Sequence, residues 1–385
     1  MYKDLTHLSD SEVEILIQRY YNGEAVSKLI EEYQLSVPVA GFYKLFPPEV
    51  CQDEICEYCE EFLVRDRLSK GHSRPFRSSA VWGFNDSKLY CPLCHHRPYA
   101  TECRCRNCVE KERAEQELRE KQIKDVYSRK IEQVEFADLS FEEKVYLGAL
   151  CRALCAENLF EIKPYIGSNT VLAPTDQLSA QMYKTLCYRE AIAVSPNSPV
   201  EAFVVDSEDF PRTYYTFAVT YYLNLVFPDD KRELFSEMLV PTYYSAEYQE
   251  EATELWRKIA VAECLEYLNY QLLKVGFGFT PGEKTYKTFE ILLNDFSVAQ
   301  IYGIIWKCVA DASKLYLERG ISKKHAANSV IGACERYAER AKMNGWNLTE
   351  YSRIRDLPQS ALSSFFFNRV LGIGDMGFKV PPTTV

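Results

Sequence analysis

The sequence predicts a mainly α-helical, multidomain protein, and three observations carry that expectation. From residue 211 onward, apolar residues recur every three to four positions between Pro, Gly and Asn punctuation, which is the periodicity of amphipathic helices. Residues 9–47 read as three short helical segments. Between these regions, eight of the 14 cysteines fall from Cys51 to Cys108, as in small modules that use metal in place of a large core.

At 385 residues the chain is long enough for two or three domains, and a 47% hydrophobic share supports a sizeable core. It carries no Gly/Ser or Pro tracts, which argues against long disordered segments. No apolar run approaches the roughly 18–20 residues that cross a bilayer, and the start "MYKDLTHLSD" is polar and acidic, unlike a signal peptide. The expected compartment is therefore cytoplasmic, with no membrane partner. A reducing cytosol disfavours disulfides, so cysteine positions carry the information. Cys151, Cys155, Cys187, Cys264, Cys308 and Cys334 sit in apolar helical contexts, where a thiol packs as a small hydrophobe.

The first element is read from "SDSEVEILIQRYY": a Ser/Asp start, then Val13, Leu16, Ile17 and Tyr20 on one helical face. Asn22-Gly23 breaks it. A second helix follows with Val26, Leu29, Ile30 and Tyr33, and "VAGFYKLF" is expected as a third, ending at Pro47-Pro48. This pattern over residues 9–47 resembles the helix-turn-helix of resolvase, invertase and transposase families. The resemblance implies that the third helix enters a DNA major groove, presenting Ser36, Val39, Tyr43 and Lys44.

Residues 49–108 are expected to form a small zinc-ribbon domain. Three Cys-x-x-Cys pairs stand at Cys56 and Cys59, Cys91 and Cys94, and Cys105 and Cys108. Each pair lets two thiolates from one tight turn reach the same ion at about 2.3 Å, and two turns complete a closed tetrahedral site. Cys103 adds a seventh donor, and His96, His95, His72 or Cys51 supplies an eighth, so two structural Zn2+ ions are expected. The pairing stays open: the first two pairs share an ion while the third joins Cys103 and a histidine, or the first and third pairs join while Cys91, Cys94, His96 and Cys103 hold the other. Interleaved with Arg97, Arg104 and Arg106, the segment resembles zinc-ribbon modules of nucleic-acid-handling proteins.

The formal net charge of −10 disfavours indiscriminate nucleic-acid binding, yet it is uneven. Residues 1–60 hold 4 Lys/Arg against 12 Asp/Glu, whereas residues 61–108 hold 9 against 4. Phosphate contacts are accordingly expected from Arg65, Arg67, Lys70, Arg74, Arg77, Arg104 and Arg106, beside Tyr43 and Lys44.

Residues 109–135 alternate 7 Lys/Arg with 8 Asp/Glu and contain no Gly or Pro, which predicts a solvated helical spacer. Residues 136–205 begin with a helix capped by Ser140 and Glu143. They continue into another helix and two short strands, 191–194 and 202–205, joined by "SPNSP", a pattern resembling a winged helix. Residues 206–385 are expected to be all-α, beginning with "RTYYTFAVTYYLNLVF".

No catalytic constellation emerges. "GFGFTPGEKT" places Glu283 between Gly282 and Lys284, which spoils a phosphate-binding loop, and "LGIGDMGF" lacks room for a βαβ unit. His325 is the only histidine beyond residue 96, and neither His95 nor His96 has the Glu of a zinc deaminase two residues on. The expected function is a non-catalytic, DNA-binding protein of bacterial type that acts on a protein partner or associates with itself through its helical C-terminal region. A protein-protein adaptor with purely structural zinc is the alternative.

Overall fold

The computed structural model describes residues 5–71, 89–157, 160–228, 231–241 and 244–382. The chain is mainly helical with two small sheets, and it divides into two compact units, residues 1–118 and 119–385.

In the first unit, α1 (Asp10–Tyr21) starts at a reciprocal cap: the Glu12 amide donates to Ser9 Oγ at 3.4 Å, and the Ser9 amide donates to Glu12 Oε2 at 2.8 Å. Its apolar stripe buries Leu16, Ile17 and Tyr20, which meet Leu29 of α2 (Val26–Glu32) together with Leu35, Phe42 and Phe46. Arg19 spans both helices. Its guanidinium donates to Glu24 at 2.7 Å and Glu32 at 2.7 Å, and hydrogen bonding to Arg19 holds the Glu24 carboxyl down to about 2.

The expected third helix is absent as a helix. Gly41 takes φ +81° and only Phe42–Leu45 follow as a single 3-10 turn. The left-handed glycine resets the chain direction, and one turn is enough to seat Phe42 and Phe46 against Tyr20, with ring centroids 5.7 and 5.3 Å away. Strands β1 (Glu49–Ile55) and β2 (Phe62–Arg65) then pair antiparallel. The ribbon is tied back to α1, α2 and the 3-10 turn, together termed the trihelix, by Tyr21, whose hydroxyl donates to the Leu68 carbonyl at 2.7 Å. Helix α3 (Arg106–Tyr127) starts inside the cysteine segment, earlier than expected, and stops at Tyr127.

In the second unit, α4 (Phe141–Leu154) is the central helix. It carries the expected Ser140–Glu143 cap and buries ten residues around its circumference. Three strands, β3 (Glu161–Ile162), β4 (Ile192–Val194) and β5 (Tyr221–Leu223), pair antiparallel in the order β3-β5-β4. Two expectations are corrected here. The second strand expected at 202–205 is reduced to an isolated antiparallel bridge from Phe203 to Tyr214 behind a 3-10 turn at Val200–Ala202, and "SPNSP" does not project as a wing: Ser198 Oγ donates to the Thr220 carbonyl and accepts from the Thr220 amide, both at 3.1 Å. The stretch "RTYYTFAVTYYLNLVF", expected as a helix, instead supplies β5. Its Tyr and Val content suits a pleated surface, and burial alternates across Tyr221, Tyr222 and Leu223. One sheet thus draws strands from both 136–205 and 206–385, and one apolar cluster runs from Ile123 to Phe378.

The unit's other helices are α5 (Asp176–Tyr188), α6 (Lys231–Leu239), α7 (Gln249–Lys274), α8 (Glu283–Leu292), α9 (Val298–Arg319), α10 (Lys323–Met343), α11 (Ala361–Phe365) and α12 (Met376–Lys379). The loop before α11 is pinned to α7 by an ion pair on the buried Glu263: Arg353 donates to Glu263 Oε1 at 2.6 Å, and Ser363 Oγ donates to the same oxygen at 2.9 Å. Four of the scattered cysteines, Cys151, Cys264, Cys308 and Cys334, are buried as small hydrophobes, while Cys155 and Cys187 are half-buried.

Gly148 on α4 is required by close packing. A Cβ there would lie 2.5 Å from the Phe365 ring and 2.8 Å from the Met238 carbonyl oxygen. Gly148→Ala is therefore expected to cost about 1–3 kcal/mol by overpacking, read as a lowered denaturation midpoint. An unchanged midpoint would show that α4 and α11 can separate freely.

Candidate metal centre

The cysteine segment is built from repeated backbone turns. After β1, the Cys56 amide donates to the Glu61 carbonyl at 2.8 Å and the Glu60 amide donates to the Cys56 carbonyl at 2.9 Å. The turn at Cys91 repeats this: its amide donates to the His96 carbonyl at 2.8 Å, and the His95 amide donates back at 3.0 Å. Each turn places a non-glycine residue in the left-handed region directly after its second cysteine, Glu60 at φ +57° and His95 at φ +58°. Such conformations cost roughly 1–3 kcal/mol and persist where other bonds fix them. Val64 and Tyr90 exchange amide-carbonyl bonds at 2.9 Å, which sets the second turn beside β2. The third pair opens α3, where the Val109 amide donates to the Cys105 carbonyl at 3.1 Å.

These turns gather two groups of four donors: Cys56, Cys59, Cys91 and Cys94, and His96, Cys103, Cys105 and Cys108. Within each group every donor atom lies within 4.8 Å of the others. A metal-sulfur distance of about 2.3 Å implies tetrahedron edges of about 3.8 Å. Cys56 Sγ and Cys94 Sγ are 3.6 Å apart, and His96 Nδ1 lies 3.2 Å from Cys108 Sγ and 3.7 Å from Cys105 Sγ. The residues fit a pair of four-coordinate ions. The two groups correspond to the first of the two open pairings, with His96 as the histidine in the second group.

Backbone amides prepare the thiols for this role. The Cys94 amide donates to Cys91 Sγ at 3.5 Å, the Cys108 amide to Cys105 Sγ at 3.4 Å, and the Arg97 amide to Cys103 Sγ at 3.2 Å. Burial pushes the Cys103 thiol up, but amides of Cys105 and Arg97 outweigh it and bring it to about 6. Burial leaves Cys108 raised, to about 11. Ligation needs every thiol deprotonated, so metal uptake would release protons.

The other candidate donors fall elsewhere. Cys51 lies in β1 opposite Leu63, His95 is exposed, and His72 lies outside the described residues. Two residues that the spacing does not single out also reach the second group. Glu57 Oε1 is 3.4 Å from His96 Nε2, and the Tyr58 ring meets the His96 ring edge-on at 4.8 Å. Only their place inside the "CEYC" turn marks them in the sequence.

The nucleic-acid candidates are scattered. Arg65 pairs with Glu49 at 2.8 Å, Arg67 donates to the Pro47 carbonyl at 2.9 Å, and Lys70 donates to the Glu24 carbonyl at 2.7 Å. These three knit the unit together internally. Arg74 and Arg77 lie outside the described residues. Ser36, Val39 and Lys44 are exposed and Tyr43 is half-buried against the trihelix core. Arg104 and Arg106 have side chains 86% and 87% exposed, with ion pairs to Glu102 and Glu110 in the same stretch.

The chain matches no family model, no curated protein and no solved structure. Among the described residues, no helix is long and apolar enough to cross a membrane. A cavity of about 520 Å³ in the second unit is lined by Leu178, Val261, Leu265, Arg257, Lys258 and Tyr286 among others. Its polar lining also includes Thr175, Glu254 and Glu290. The sequence decoys are accounted for: Gly282 caps α8, Lys284 faces Glu335 at 3.6 Å, and His325 is exposed in the first turn of α10.

Metal analysis of the purified chain should return two divalent ions per molecule. Cys103→Ser is expected to lose one, whereas Cys51→Ser keeps both. A Cys51→Ser protein with one ion, or a Cys103→Ser protein with two, would contradict these donor sets.

Proposed function

We propose that the chain is a non-catalytic binding protein whose N-terminal unit is stapled by two structural zinc ions and engages nucleic acid, DNA in the first instance. In this reading the helical residues 119–385 recruit a protein partner or a second copy. Zinc is favoured because seven thiolates and one imidazole suit its borderline-soft character. Four protein donors per ion leave no open position for a water or substrate, so the metal's role is structural.

One observation carries the nucleic-acid reading. Arg97, Arg104 and Arg106 are exposed on the loop whose neighbours His96, Cys103, Cys105 and Cys108 form the second group. Chelation would hold these guanidinium groups in a fixed spacing, and exposed ion pairs such as those of Arg104 and Arg106 are worth little and exchange readily for phosphate. The helix-turn-helix resemblance adds the exposed Ser36, Val39 and Lys44 in the same unit.

The adaptor reading is favoured by charge. Residues 49–108 hold 9 Lys/Arg against 9 Asp/Glu, and seven thiolates with two divalent ions would add a net −3. With Arg65, Arg67 and Lys70 engaged internally, the loaded unit keeps few cations for a polyanion.

A mobility-shift titration at two salt concentrations separates the readings. With three or four phosphate contacts, log K should fall with log salt at a slope of roughly −0.9 per contact, and an Arg104→Ala/Arg106→Ala double variant should flatten the slope by about 2. No binding at low salt, together with a stoichiometric protein partner that survives nuclease, would replace the DNA reading by the adaptor.

A further inference from the structure

Resting on the reading of both donor groups as metal centres, we propose that Glu57 is a positioning residue for His96, assisted by Tyr58, and that it couples loading of the second centre to the folding of the first. His96 is 5% exposed and is held from both sides by turns that belong to the first centre. Its carbonyl accepts from the Cys91 amide at 2.8 Å, so its backbone is part of the second turn of the Cys56, Cys59, Cys91, Cys94 group. Its ring is approached by the first turn of the same group.

The ring contacts divide between the two nitrogens. Nδ1 faces Cys108 Sγ and Cys105 Sγ at 3.2 and 3.7 Å. Nε2 is buried, makes no hydrogen bond of good geometry, and has the Glu57 carboxylate 3.4 Å away. A ligating imidazole almost always gives its second N–H to a carboxylate, carbonyl or water, and that partner fixes the tautomer and the ring plane. Glu57 is placed for this with a small approach, because its side chain is 58% exposed and free to adjust its rotamer. Tyr58 closes the other side: its ring stands at 88° to the imidazole, and its hydroxyl is 3.7 Å from Cys108 Sγ.

Glu57 and Tyr58 lie between Cys56 and Cys59, so their positions depend on the turn that those two ligands close. When the first centre is filled, the turn is fixed, and Glu57 meets a pre-oriented imidazole. When it is empty, the ordering of both turns is added to the cost of the second binding step. The two loadings then become thermodynamically linked, and the linkage is reciprocal. It deepens the structural-zinc reading by assigning the order in which the staple is assembled.

Cobalt(II) titration of the full chain tests this, because a four-sulfur site and a three-sulfur, one-nitrogen site absorb at different visible wavelengths. The four-sulfur spectrum should grow with the first equivalent and the three-sulfur spectrum with the second. Glu57→Ala should leave the first step unchanged and weaken the second about 10- to 100-fold, with Glu57→Gln recovering most of the loss because its amide oxygen still accepts from Nε2. If Glu57→Ala loads the second centre with wild-type affinity and an unchanged spectrum, the coupling is wrong while the metal centres stand. If no thiolate-to-cobalt charge-transfer band appears in the wild-type chain, the metal reading itself fails, and the coupling falls with it.

Discussion

The proposed chelation by eight side chains between Cys56 and Cys108 is the constraint on which the cysteine segment of the N-terminal unit would depend, because among the described residues very little else holds that segment together. Among the described residues the buried apolar cluster there is Cys56, Leu63, Leu89 and Cys91, and two of those four are candidate metal donors. Burying one such side chain contributes about 1.5–3 kcal/mol, while fixing each residue's backbone costs about 1–2 kcal/mol. Four side chains cannot order a segment of this length. A structural zinc ion, whose binding free energy in small modules is about 10–16 kcal/mol at neutral pH, is of the needed size. The second unit has no such need, since one continuous core runs through α4, α7, α9 and the three-stranded sheet.

The same constraint organises the unit's charge. Cations that a composition count treats as a basic patch are used in three different ways. Arg65 braces the ribbon, while Arg67 and Lys70 join it to the trihelix by donating to backbone carbonyls. Arg97, Arg104 and Arg106 remain at the surface of the ligand loop. Arg19 is held by two glutamates within the trihelix. Among the described residues of the stretch 61–108, which carries a net +5, the exposed cations are thus Arg97, Arg104 and Arg106.

Much of the ligand set was legible in the sequence because metal chemistry constrains residue type and spacing together. Cys-x-x-Cys can close on one ion in only a narrow range of turns, so the donors announce themselves. Their partition between two ions was not legible, since it depends on the Val64–Tyr90 bridge that sets the second turn beside β2. Glu57 and Tyr58 were invisible for the same reason: their relation to His96 exists only after the turns are assembled. The helices with strong caps, at Ser9 and Ser140, were read correctly because capping is local. The third N-terminal helix was over-read because an apolar spacing in "GFYKLF" fits a single turn as well as a helix, and Gly41 decides between them. The stretch around Tyr221 satisfied both helical and strand periodicities, and its pairing with β3 and β4 settled the matter.

Hydrogen-deuterium exchange on the full chain, with and without a strong chelator, tests the dependence on metal most directly. The account predicts that the amides of Cys56, Glu60, Cys91, His95 and Cys108 are protected in the loaded protein and exchange freely after chelation, while α4, α7 and α9 keep their protection. Protection at those five amides that survives complete removal of metal would show that the turns hold themselves, and would contradict the staple.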